Sequence, residues 1–243
     1  MRQSILVAAV AAFGCLLSLP ADAVPFTDGQ VISFSQNTWG ADPGAGPPAS
    51  LVVQHFDDIY PVGLTVGVGN FILFTSGNSG GPVLTFLPTT GPAAALNATL
   101  VDPTSSSSGI FGGQVVGLRF NIDFSEAGFT LGSSGVPFGD LVLHDLTGAV
   151  AGLNGENLQQ FFDVTNIALG GGNAGYAIAD LSSLLMQVNA AFEGGFVNNF
   201  ANDHLALPAV APISEPPTWI MLIAGIVLFA GTLRAAPGRR LGG

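Results

Sequence analysis

The chain has 243 residues, 48% of them hydrophobic, with 16 acidic residues, five arginines and no lysine. Between Val24 and Ile213 the only basic residue is Arg119, set against 14 acidic ones. That balance excludes a nucleic-acid binder, which needs basic patches, and a phosphate-gripping lysine loop. The length suits one body domain plus targeting segments, and the acidity keeps an exported chain soluble.

The first 23 residues read as a secretory signal peptide. Arg2 is the positive start, Ile5 to Leu19 the apolar stretch, and Ala21-Asp22-Ala23 the small-x-small site at which signal peptidase cuts after Ala23. Cys15 lies inside the apolar stretch. A lipoprotein reading would cut before it, but Ala12-Phe13-Gly14 lacks the leucine expected at the third position before the cysteine. Once Cys15 is removed the mature body has no cysteine, which excludes disulfides and thiol chemistry.

The body, 24–207, reads mostly as short strands. Val31 to Ser35 alternates apolar and polar residues, Leu64 to Val68 and Asn70 to Thr75 are rich in β-branched and aromatic residues, and Leu51 to Phe56, Val83 to Leu87 and Ala95 to Val101 are further strand candidates. Glycine- and proline-rich stretches at Gly40–Pro48 and Ser76–Pro82 separate them, and Pro103–Gly109 is a loop. The most regular segment is Gln114 to Phe124, where Val116, Leu118, Phe120, Ile122 and Phe124 alternate with Gly117, Arg119, Asn121 and Asp123. It predicts a strand with one wet face. Phe129 to Leu131 and Leu141 to Leu146 add two more.

The period then changes. Leu158, Phe161, Phe162 and Thr165 predict a helix near 156–169, ended by Gly170-Gly171-Gly172. Leu181, Leu184, Leu185, Val188 and Phe192 predict a second near 180–193, with Asp180 as its cap and Gly194-Gly195 as its stop. The expected fold class is α+β, mostly β, an antiparallel sheet or sandwich with a late helical pair.

Few residues in the body suggest chemistry. Gly77-Asn78-Ser79-Gly80-Gly81 superficially resembles the loop around the nucleophile of trypsin-like proteases. A serine nucleophile needs a histidine base and an orienting carboxylate, and His55 stands too close in sequence for that two-barrel fold. His144-Asp145 with Asp140 carries metal-ligand types, and Asp57-Asp58 carries calcium-type oxygens. His55, His144 and His204 share no ligand spacing, so no metal or cofactor is expected. Asp123 and Glu126 are candidate acid and base for glycoside hydrolysis, with Arg119 an ion partner on the same face. Trp39 and Tyr60 are candidate sugar-stacking rings.

The chain ends with a linker and motif at 208–217, an apolar run at 218–233 and a basic tail at 234–243. Thr218 to Leu233 contains no charge. As a helix it would span about 24 Å, a short transmembrane segment. Trp219 suits one interface, and Arg234, Arg239 and Arg240 suit the cytoplasmic side. Ser214-Glu215-Pro216, the apolar run with Trp219 at its start and the terminal arginines together resemble the PEP-CTERM sorting signal of Gram-negative bacteria. The resemblance covers about the last thirty residues. It implies recognition of Ser214, Glu215, Pro216, Trp219 and the arginines by an exosortase-type sorting protease. It also implies a precursor held in the inner membrane and a mature protein at the cell surface or in the matrix, alongside extracellular polysaccharide. No residue is expected to be catalytic. A secreted carbohydrate-binding module or a secreted hydrolase are the alternatives.

Overall fold

A computed structural model describes residues 25–209. It contains, in chain order, α1 (Gln36–Trp39), α2 (Ala49–Ile59), β1 (Leu64–Val66), β2 (Ile72–Phe74), α3 (Gly81–Phe86), β3 (Leu100–Val101), α4 (Ile110–Glu126), β4 (Val142–Leu143), α5 (Leu158–Leu169), α6 (Ile178–Asn189), α7 (Asn199–His204) and β5 (Leu205–Ala206). Short 3-10 turns lie at Pro43–Ala45, Phe138–Asp140 and Gly148–Leu153.

The expected fold class is corrected. The body is about 43% helical and 8% strand, with four long helices, so it is helix-rich and neither a sandwich nor mostly β. Among the described residues no helix is long and apolar enough to cross a membrane. The signal peptide, including Cys15, Ala21 and Ala23, lies outside the described residues, as do Ser214, Glu215 and Pro216, the apolar run with Trp219, and Arg234, Arg239 and Arg240. The compact unit containing the body ends at Leu207.

The reason for the correction is α4. This 17-residue helix is buried along nearly its whole surface, from Phe111 to Ser125. It packs against α1, α5 and α6 and the Phe138–Asp140 turn. A helix enclosed on all sides has no wet stripe, so the 3.6-residue period that marks a surface helix is missing. Val116, Leu118, Phe120, Ile122 and Phe124 all enter the core, while the intervening Gly117, Asn121 and Asp123 are buried too. Gly113 and Gly117 make the close packing possible. A Cβ at Gly113 would overlap Gln36 Oε1 and Thr89 Oγ1, and one at Gly117 would sit 3.3 Å from Asn189 Nδ2.

Four other expected strands are also revised. Leu51 to Phe56 belongs to α2, whose buried residues Ala49, Val52 and Phe56 recur at helical spacing. Val83 to Leu87 is mostly α3, with Pro82 in its first turn, where the missing N–H costs nothing. Val31 to Ser35 keeps only an isolated bridge, Ser33 to Glu193. Phe129 to Leu131 forms no strand. The sheet that does form is small. β1 and β2 pair antiparallel, Leu64 opposite Phe74, and β2 pairs parallel with β3, Ile72 opposite Leu100. β4 and β5 form a separate antiparallel pair.

α5 and α6 lie where the sequence periodicity places a helical pair. α5 opens with a capping box, in which Asn157 Oδ1 accepts from Gln160 N–H and Gln160 Oε1 accepts from Asn157 N–H, both at 2.8 Å. α6 is capped at Ala177, and Asp180 sits inside its first turn instead of at the cap. A carboxylate there still faces the positive end of the helix dipole.

Candidate functional site

The described body carries one ionic cluster built around a buried charge, and it lies on α4. Arg119 and Asp123 are one helical turn apart, with Arg119 Nε 2.7 Å from Asp123 Oδ2. The same carboxylate oxygen accepts a 2.7 Å hydrogen bond from the hydroxyl of Tyr60, at the C-terminal end of α2. Asp123 is only 7% exposed. Arg119 lies over the Phe162 ring of α5, its guanidinium carbon 5.1 Å from the centroid, a cation–π contact that fixes the side chain. Burial holds the Asp123 carboxyl above its ordinary value, and the positive charge of Arg119 and the Tyr60 hydroxyl pull it part of the way back. The Tyr60 phenol is held well above its usual range, first by burial and then by the neighbouring negative charge.

These groups form one wall of an open groove of about 560 Å³, which Asp58, Glu126 and Phe129 also line. Glu126 is exposed. Phe129 is 40% exposed and stacks on His55, ring centroids 3.9 Å apart and planes at 19°. His55 Nδ1 lies 3.6 Å from Asp58 Oδ2. The structure therefore gathers several sequence candidates, Asp123, Glu126, Arg119, Tyr60, Asp58 and His55, at one place. The Asp123 oxygen engaged here is already shared by two donors, so this arrangement is better suited to holding a ligand than to proton transfer.

The remaining candidates are dispersed. Trp39 is fully buried and donates its indole N–H to Asn121 Oδ1 at 3.0 Å, so it cannot stack on a ligand. Tyr60 is 7% exposed and equally unsuited to stacking. Ser79 sits in a turn with φ of 49°, and its backbone N–H and that of Gly77 donate to the Asp57 carboxylate at 3.1 and 2.7 Å. That carboxylate closes a loop between α2 and α3. No hydrogen bond joins Ser79 to His55 among the described residues. His144 and His204 meet across β4 and β5, where His144 N–H donates to the His204 carbonyl at 3.0 Å, and His144 Nδ1 lies 2.9 Å from Asp145 Oδ2. Asp140 ends the Phe138–Asp140 turn. Among the described residues no three His, Cys, Asp or Glu side chains are placed to hold a metal ion. His204 also lines a cavity of about 280 Å³ with Asp180 and Ser183, but the Ser183 hydroxyl donates to its own helix at the Ala179 carbonyl, 2.9 Å away.

A second polar cluster was not visible in the sequence. Asn121 accepts from Phe34 N–H at 2.8 Å and donates to Phe34 C=O at 2.9 Å and to Asn189 Oδ1 at 3.1 Å. Asn189 donates to both the side-chain and backbone oxygens of Gln114 at 2.9 Å. The Ser33 hydroxyl donates to the Asn189 carbonyl at 2.8 Å. The available signal was the placement of Gln114 and Asn121 two helical turns apart inside an apolar run. Compared with family models, with curated proteins and with solved structures, the chain matches none.

Proposed function

We propose that this chain is an exported, non-enzymatic protein of the cell surface or extracellular matrix. The observation that carries the reading is the pair of terminal addresses. Arg2, the apolar stretch and Ala21-Asp22-Ala23 stand at one end. Ser214-Glu215-Pro216, Trp219 and the arginines at 234, 239 and 240 stand at the other. Signal peptidase removes the first segment. An exosortase-type sorting protease recognises the second and cuts near Glu215-Pro216, passing the body outward through the inner membrane. The body supports the reading in two ways: its 14 acids against one arginine favour solubility outside the cell, and its buried carboxylate oxygen is occupied by structural donors.

The test is the intact mass of the protein from its native cells, separated into membrane, surface and medium. A mass starting at Val24 and ending near Ser214, recovered from surface or medium, is expected. Material starting at Val24 but ending at Gly243, found in membranes alone, would refute processing by a sorting protease.

A further inference from the structure

The groove beside Arg119 combines groups that no ion satisfies together. The guanidinium has more N–H donors than one carboxylate can accept, and Asp123 is its sole ion-pair partner among the described residues. Its side chain is 30% exposed and lines the groove. The guanidinium thus lines a site whose other walls carry the exposed carboxylates of Asp58 and Glu126. An anion would meet those carboxylates. A cation would meet the Arg119 guanidinium, which lines the same groove. A hydroxyl both donates and accepts. Two neighbouring hydroxyls on a ring can accept from a guanidinium and donate to a carboxylate such as Glu126 or Asp58. Phe129, oriented by its stack on His55, offers an apolar surface for the C–H face of that ring. The groove volume of about 560 Å³ lies within the range of small-molecule sites, roughly 300–1,000 Å³.

We propose that this groove is a binding site for a neutral sugar, held through vicinal hydroxyls by Arg119 and Glu126 and covered by Phe129. The proposal goes beyond the export reading and does not rest on it: a titration and a mass spectrum fail independently. The test uses the full-length chain in mild detergent, titrated calorimetrically with neutral hexaoses of gluco, manno and galacto configuration, with a chitosan oligomer and with a galacturonate oligomer. At least one neutral hexaose is expected to bind, and its 2,3-O-methylated form is expected not to. Phe129→Ala should weaken binding about tenfold. Glu126→Gln, an exposed change that leaves the fold intact, should weaken it about threefold. Binding of none of the neutral hexaoses would overturn the proposal. So would tighter binding of the chitosan or galacturonate oligomer, or neutral-sugar binding that Phe129→Ala and Glu126→Gln leave unchanged.

Discussion

The two polar sides of α4 hold opposite kinds of chemistry. Gln114, Gly117 and Asn121 lie along one face, and Arg119 and Asp123 lie on the other, roughly 160° around at ~100° per residue. The first face is neutral and sealed: its amides bond to Asn189 of α6, to Phe34 and to the Trp39 indole. The second is ionic and opens on solvent, with donors beyond those its one carboxylate uses. A saturated neutral network fixes how helices sit against each other. A charged pair at a groove keeps capacity for something else.

The sharpest way to break the comparison is on the sealed face. Asn121→Leu strands the Trp39 indole, both Phe34 backbone groups and Asn189, and should cost about 4 kcal/mol or more in chemical denaturation. A loss below about 1 kcal/mol would mean that the network does not hold the core. Gly113→Ala should cost about 2–3 kcal/mol, because its methyl overlaps Gln36 and Thr89. On the ionic face Tyr60→Phe removes one donor from a still-paired carboxylate and should cost about 1–2 kcal/mol. It should also move the Asp123 carboxyl further up, since the lost hydroxyl favoured the charged form.

A smaller effect sharpens the contrast through pH. The Asp123 carboxyl is raised on folding from an ordinary value of 3.8. Between that value and the raised one the folded chain binds more protons than the unfolded chain. Its stabilising contribution is therefore complete below the ordinary value and is lost as pH rises through the raised one. Asp123→Asn should flatten this slope in a pH series of denaturation midpoints, and Arg119→Gln should extend it to higher pH. Asn121→Asp would carry the same chemistry to the sealed face, where the slope should be steeper. Least of all, Glu126→Gln should change stability by no more than about 0.5 kcal/mol.

The legible parts of this fold are those with a solvent side. α5 and α6 each show a stripe, Leu158-Phe161-Phe162 and Leu181-Leu184-Leu185-Val188, because their outer faces meet water. β1 and β2 were legible from β-branched and aromatic content between glycines. α4 was not, because alternation of large and small residues in an enclosed helix looks like a pleated strand. In α2 the window from Leu51 to Phe56 was too short to separate the periods, whereas Ala49, Val52 and Phe56 together show the helical one. The site was half legible for the same reason. Arg119 and Asp123 share a face in a strand or a helix, four residues apart. Tyr60 and Phe129 reach them only through tertiary packing, and Trp39 went inward with its indole N–H satisfied by Asn121.

The glycines of α4 also bear on the order of assembly. Gly112, Gly113 and Gly117 each lower helix propensity by about 1 kcal/mol relative to alanine, so the segment has little tendency to coil by itself. α5, with its capping box, can form early and locally. The central helix, enclosed by α1, α5 and α6, is expected to form in the same cooperative step in which those neighbours close around it. Its amide hydrogens should consequently exchange with solvent only when the whole body unfolds, making the least autonomous segment of the chain the slowest to exchange.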